Sequence, residues 1–240
     1  MSNDRIRVLF LAADPFTDRA PLQLGEEVRA IDHAIQRGTA RDALQLVSHF
    51  ATRTRDLQEA LLRHRPRIVH FSGHADQPGV IYLGDEHGRP RAVDKQVLGS
   101  LFGILSDTVR MVVLNGCDTL PVVEVLSGVV DYAIGMDRPV TDASAIAFAE
   151  AFYRGLAFGQ GVRTAFDLAV VQLRMDHPSE AVIPVLRVRE GVDPQAVLAP
   201  PAAEHGGEEI VYENPSGRAG PVQVSTMTDE SGRRVTFRNG

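Results

Sequence analysis

Arg7-Val-Leu-Phe-Leu-Ala-Ala13 is an apolar run without the alternation that a half-exposed strand would show. It reads as a strand covered on both faces, which is the signature of a parallel sheet lying between two layers of helices. The chain around it keeps that rhythm. Leu24, Val28, Ile31 and Ile35 recur at helical spacing and place an apolar stripe on a helix ending near Gly38. Leu44 to Phe50 is a second strand, and Leu57, Leu61 and Leu62 mark a short helix that starts near Thr54 and closes before Pro66. Further strands are expected at Ile68 to Phe71, Val109 to Leu114 and Asp131 to Gly135, with Val182 to Val188 as an edge strand that tolerates Pro184. Val80 to Leu83 and the turn at Gly88 to Pro90 suggest a small hairpin beside the sheet. Helices are expected at Val97 to Leu105, from Val122 to Leu126, and on the stripes Ala145 to Leu156 and Val162 to Met175. The fold class is therefore α/β, a three-layer sandwich on a mostly parallel sheet.

The composition changes after Pro194. Pro200-Pro201 and Gly206-Gly207 read as a linker, followed by short alternating segments at Ile210 to Tyr212, Val222 to Val224 and Val235 to Phe237. The expected organisation is a main domain over residues 1–194 and a linker with a small β appendage or extended arm over 195–240.

The bulk numbers narrow the function classes. A formal net charge of −6 without a basic run gives no footprint for nucleic acid. No run approaches the length of a membrane helix, and the opening residues do not form a secretion signal. The one cysteine excludes an internal disulfide and favours a reducing compartment, so the expected location is cytoplasmic. Ala12-Ala-Asp-Pro15 stands where a nucleotide-binding protein would carry a glycine-rich loop, and no cofactor is expected. His70 and His74 have the spacing of a zinc motif, but Phe71 replaces its glutamate and the segment is strand and turn; no metal is expected.

What remains is the pair Ile68-Val-His-Phe-Ser-Gly-His74 and Met111-Val-Val-Leu-Asn-Gly-Cys117. In an open parallel sheet, ligands gather beyond the carboxyl ends of the strands, so His74 and Cys117 are expected to share a site. A cytosolic cysteine with such a partner is a candidate nucleophile with its acid/base group. Gly73 and Gly116 would let the backbone approach a substrate carbonyl, and a helix starting near Leu120 would present N–H groups towards the thiolate. His70 lies within the strand and reads as a core or supporting histidine.

Val69 to Ala75 and Val113 to Thr119 resemble the histidine and cysteine motifs of the CHAT domain, a bacterial branch of the caspase-like peptidases. The likeness extends to Val8 to Asp14, Leu24-Gly-Glu-Glu-Val28, Tyr132 to Met136 and Ala145 to Tyr153, covering about residues 5–190. Ala75 stands where that family commonly has glycine, and Gly116 where it commonly has alanine. The resemblance implies a caspase-like sandwich that hydrolyses peptide bonds in a protein substrate, with Cys117 as nucleophile and His74 protonating the leaving amine. It also implies an oxyanion hole from the N–H groups of Gly73 and Cys117, and an activating partner within a bacterial defence or regulated-death system. A catalytically silent interaction module is the alternative, and retention of both dyad residues counts against it.

For specificity, Asp142 and Asp118 are the acidic candidates to bind a basic side chain before the cut, although Asp142 or Thr141 would also make a helix cap. If basic specificity holds, Arg218, Arg233 and Arg234 are candidate self-cleavage sites. The loop from Asp76 to Gly79, or the tail, is a candidate inhibitory element.

Overall fold

The computed structural model describes residues 5–75, 78–200, 210–214, 223–228 and 234–239. The first of two compact units, Met1–Ala202, is built on a six-stranded sheet. Its elements run β1 (Ile6–Ala13), α1 (Leu24–Arg37), β2 (Leu44–His49), α2 (Thr54–His64), β3 (Ile68–Gly73), the hairpin β4 (Val80–Gly84) and β5 (Pro90–Asp94), and α3 (Lys95–Ile104). They continue with β6 (Met111–Asn115), α4 (Leu120–Leu126), β7 (Tyr132–Met136), α5 (Asp142–Ala157), α6 (Val162–Asp176) and β8 (Pro184–Val188).

The strand order is β2-β1-β3-β6-β7-β8, all parallel except the last pair. Side chains of a strand alternate between faces, and β1 shows how completely both are covered. Val8, Phe10 and Ala12 join the core packed by α1, α5 and α6, whereas Leu9, Leu11 and Ala13 join the core packed by α2, α3 and α4. In β6, Met111 and Val113 face the first layer while Val112 and Leu114 face the second. The expected three-layer α/β sandwich is therefore the observed one. Pro184 opens the antiparallel edge strand, where its missing N–H removes least from the ladder.

Two strands run further than their apolar residues suggest. β3 continues through Ser72 and Gly73, and β6 through Asn115, because these polar residues are themselves buried and stay in register across the sheet, Ser72 opposite Asn115. His74 therefore follows its strand directly, and Cys117 lies two residues past its own. Gln195 to Ala199, which the sequence places in the linker, packs on the first unit: Ala196 O and Pro194 O accept from Val162 and Arg163 N–H at the start of α6, and Ala199 is buried.

The second unit, Ala203–Gly240, holds a three-stranded sheet in the order β10-β11-β9. Its strands are β9 (Ile210–Asn214), β10 (Gln223–Thr228) and β11 (Arg234–Asn239), with β10 antiparallel and β9 parallel to β11. Arg234 opens β11, whereas Arg218 and Arg233 lie outside the described residues, as does Asp76 of the candidate inhibitory loop.

Candidate active site

Parallel strands deliver their following loops to one end of the sheet. Here the loops after β1, β3, β6 and β7 converge there, and a cleft of about 430 Å³, its open mouth included, is bounded by Gly73, His74, Asn115, Gly116, Cys117 and Asp142 among others.

The histidine and cysteine motifs are locked together by the absence of two methyl groups. A Cβ on Gly116 would stand 2.6 Å from the carbonyl oxygen of Gly73 and 3.3 Å from Cβ of Ala75. One on Gly73 would stand 2.5 Å from the carbonyl oxygen of Ala13. The residues flanking His74 thus touch the residue preceding Cys117, and β1 closes on the other side. Past Cys117 the chain turns sharply: Asp118 adopts φ 54°, in the left-handed region that aspartate tolerates better than most side chains. The helix that follows is short. α4 has seven residues with Pro121 in its first turn, so it offers fewer free N–H groups towards Cys117 than expected.

Cys117 is partly exposed, and its Sγ lies 3.9 Å from the carbonyl oxygen of Val140. His74 is held from two sides. Its Nε2 is 3.1 Å from Oδ1 of Asp14, whose Oδ2 accepts from the N–H of Leu22. The Phe16 ring meets the imidazole edge-on at 5.1 Å, with Arg19 stacked over its own face at 3.7 Å. The carbonyl of His74 accepts from Tyr82 of the β4 hairpin, tying that excursion to the site. Since a carboxylate accepts, Nε2 of His74 is the donor in this pair, and Nδ1 is the ring nitrogen not engaged by Asp14.

Beneath the cleft lies a buried polar column on the α1–α5 side. Glu27 of α1, 3 % exposed, accepts from Nε2 of His70 at 2.8 Å, from Nδ2 of Asn115 at 2.6 Å and from the Ser72 hydroxyl. Nδ1 of His70 is 3.2 Å from the Tyr153 hydroxyl. Burial, and then the charge of Glu27, push the Tyr153 phenol well above its ordinary range, so it stays protonated. His70 is therefore a supporting residue, as its place in the strand suggested, and its Nε2–H donates to Glu27. Asn115 spends both N–H bonds, on Glu27 and on the carbonyl of Ala145, which fixes its orientation. Its Oδ1 is buried without a partner.

Among the acidic candidates, Asp142 lines the cleft and accepts from Gln23 N–H, while the cap of α5 is Thr141. Asp118 is not among the lining residues. Sequence reasoning missed Asp14 and Glu27 as site residues. The available signal for Glu27 was a carboxylate on the buried stripe of its own helix, four residues before Ile31. Among the described residues, no group of three or more His, Cys, Asp or Glu could hold a metal ion, and no helix is long and apolar enough to cross a membrane.

Comparison with known proteins agrees with this architecture. Residues 7–196 match the CHAT domain family. Caspase-1 from Spodoptera frugiperda superposes with a TM-score of 0.57 at 9 % identity, over 83 % of this chain and 91 % of that one. The Drosophila initiator caspase Dronc does so with a TM-score of 0.57 at 9 % identity, over 83 % and 85 %. At that identity the likeness is one of fold. No curated protein matches the sequence significantly.

Proposed function

The chain belongs to the CHAT domain family, and from that premise we propose that it is a cysteine endopeptidase acting on a protein substrate through Cys117 and His74. The observation that carries the reading is the contact of Gly116 with Gly73 and Ala75, which brings thiol and imidazole to one cleft, with Asp14 fixing the imidazole.

In this mechanism Nδ1 of His74 takes the thiol proton as Sγ attacks the scissile carbonyl carbon. The N–H groups of Gly73 and Cys117 hold the oxyanion of the tetrahedral intermediate. As the C–N bond breaks, His74 returns the proton to the leaving amine, leaving a thioester. Water, deprotonated by His74, then releases the acid and restores the thiol. Asp14 acts through His74 as a positioning residue: it keeps the proton on Nε2 and stabilises the imidazolium. An activating protein partner in a bacterial defence setting is part of the same proposal and rests on family membership.

The test is turnover of a fluorogenic peptide mixture by wild type, Cys117→Ala and His74→Ala. Activity in the wild type that both substitutions abolish is the expected result. Equal turnover in wild type and Cys117→Ala would refute the assignment.

A further inference from the structure

We infer that the cleft beside Cys117 is a receptor for a basic side chain, with Glu27 as its buried counter-charge and Asn115 Oδ1 as its second acceptor. This deepens the peptidase reading and rests on it for the role of the bound group, the lysine or arginine preceding the scissile bond.

The cleft leaves several side-chain acceptors without a donor. A carboxylate offers about four acceptor positions, and Glu27 fills three, from His70, Asn115 and Ser72. Asn115 has no donor left, since both its N–H bonds are engaged, and its Oδ1 is the one buried side-chain polar atom without a partner among the described residues. Asp142, at the same cleft, uses one oxygen on Gln23 N–H. Every unspent side-chain group of Glu27, Asn115 and Asp142 is an acceptor, so the complementary head group has to donate more than once.

Charge points the same way. The column beneath the cleft links the Tyr153 hydroxyl to His70 Nδ1, and His70 Nε2–H to Glu27. His70 orients the carboxylate from one side and leaves its remaining acceptor position facing the cleft. No described Arg or Lys pairs with Glu27 or Asp142; the only ionic contact of Glu27 is His70. A buried carboxylate calls for a cationic partner, and an ammonium or guanidinium in the cleft supplies a permanent one. The walls fit the rest of such a side chain: Leu24, Val140 and Ile146 offer apolar surface to an aliphatic stem.

Two measurements test this. In the first, Cys117 is captured by tripeptide acyloxymethyl ketones that differ only in a terminal lysine, arginine, norleucine or glutamate, and intact mass gives the rate. The basic probes are expected to react at least about 30-fold faster than norleucine, the lower bound for losing one partner of a buried charge pair. That ratio is expected to fall to a few-fold in Glu27→Gln. A norleucine or glutamate probe that matches the basic ones would overturn the proposal and leave the peptidase reading standing. The second measurement needs no reactive thiol. Ligand-observed NMR compares agmatine with uncharged N-butylurea on wild type, Glu27→Gln and Asp142→Asn. Saturation transfer to agmatine alone, weakened in Glu27→Gln, supports the pocket even if no directed probe captures Cys117, an outcome that would sink the peptidase reading by itself. Equal transfer to both ligands, or unchanged agmatine binding in Glu27→Gln, refutes the receptor. Should Glu27→Gln not fold, the wild-type ligand pair and Asp142→Asn decide.

Discussion

Gly116→Ala should weaken both the fold and the chemistry, and Ala75→Gly should partly repair it. The added Cβ meets the Gly73 carbonyl oxygen at 2.6 Å, where about 3.0 Å is the closest approach tolerated, so the two motifs must separate by at least about 0.4 Å. The obstacle is backbone at the end of a strand paired on both sides, which cannot swing away as a long side chain would. Overpacking of this kind costs about 1–3 kcal/mol. Separation also moves Cys117 relative to His74; since a shift of 1 Å can cost roughly 100-fold, a loss near 10-fold in kcat is expected. The second contact, Ala75 Cβ at 3.3 Å, crowds the added methyl from the same segment. Removing it in the double variant recreates the glycine and alanine pair common in the family at these positions. The cycle of single and double variants, read by urea denaturation and by turnover, should show a favourable coupling of about 0.5–3 kcal/mol. A neutral Gly116→Ala would refute the account of how the site is closed. A cycle without coupling would refute the account of why the two departures occur together.

Asp14→Asn should lower kcat by roughly 100-fold or more, within the range a positioned acid–base system contributes, because an amide cannot hold the His74 proton on Nε2. KM should move little and stability by less than about 1 kcal/mol, and an unchanged kcat would remove Asp14 from the mechanism. Tyr153→Phe should cost about 1–3 kcal/mol at neutral pH, since His70 Nδ1 is left buried without its partner. Its alkaline behaviour is a second check. Burial, then the charge of Glu27, raise this phenol, so above pH ~10 the unfolded chain loses the proton first and wild-type stability falls with pH. The variant lacks that term, so the gap between the two denaturation curves should narrow from neutral pH to pH ~10.5; a constant gap contradicts it. Asp131→Asn should destabilise by roughly 2–3 kcal/mol, because this buried carboxylate joins the half-exposed Arg110 and Arg189. It precedes β7 and lies at the opposite end of the sheet, so alkylation of Cys117 should keep its rate.

The layers and strand directions were legible because burial on both faces writes itself into a sequence as unbroken apolar runs, and Arg7 to Ala13 is such a run. The dyad motifs were legible for a related reason: a parallel sheet sends every loop after a strand to one end, so position along the chain implies proximity. Local patterning does not say which distant side chain completes a polar group. Asp14 and His74 are 60 residues apart, and Glu27 and Asn115 are 88. Asp14 looked like a turn residue before Pro15, and Glu27 like one acidic residue in an acidic first turn. The strand ends were hidden for the opposite reason, since Ser72 and Asn115 look like loop residues and are buried because the column beneath the cleft engages the Ser72 hydroxyl and the Asn115 N–H groups.

That column also bears on what the cleft is for. On the α2–α4 side the sheet packs against an apolar core, while on the α1–α5 side Glu27, His70, Ser72 and Asn115 interrupt it directly under the cleft. Well-packed apolar side chains would serve stability as well or better than buried ionic groups. A column that existed to rigidify the core would be expected to satisfy all its members, since a partly satisfied network is weaker than an apolar one. The group without a protein partner among the described residues is Asn115 Oδ1, two residues from Cys117 in sequence and on the same cleft. An acceptor left open on the cleft that Cys117 also lines is what a binding site requires and what a structural brace does not.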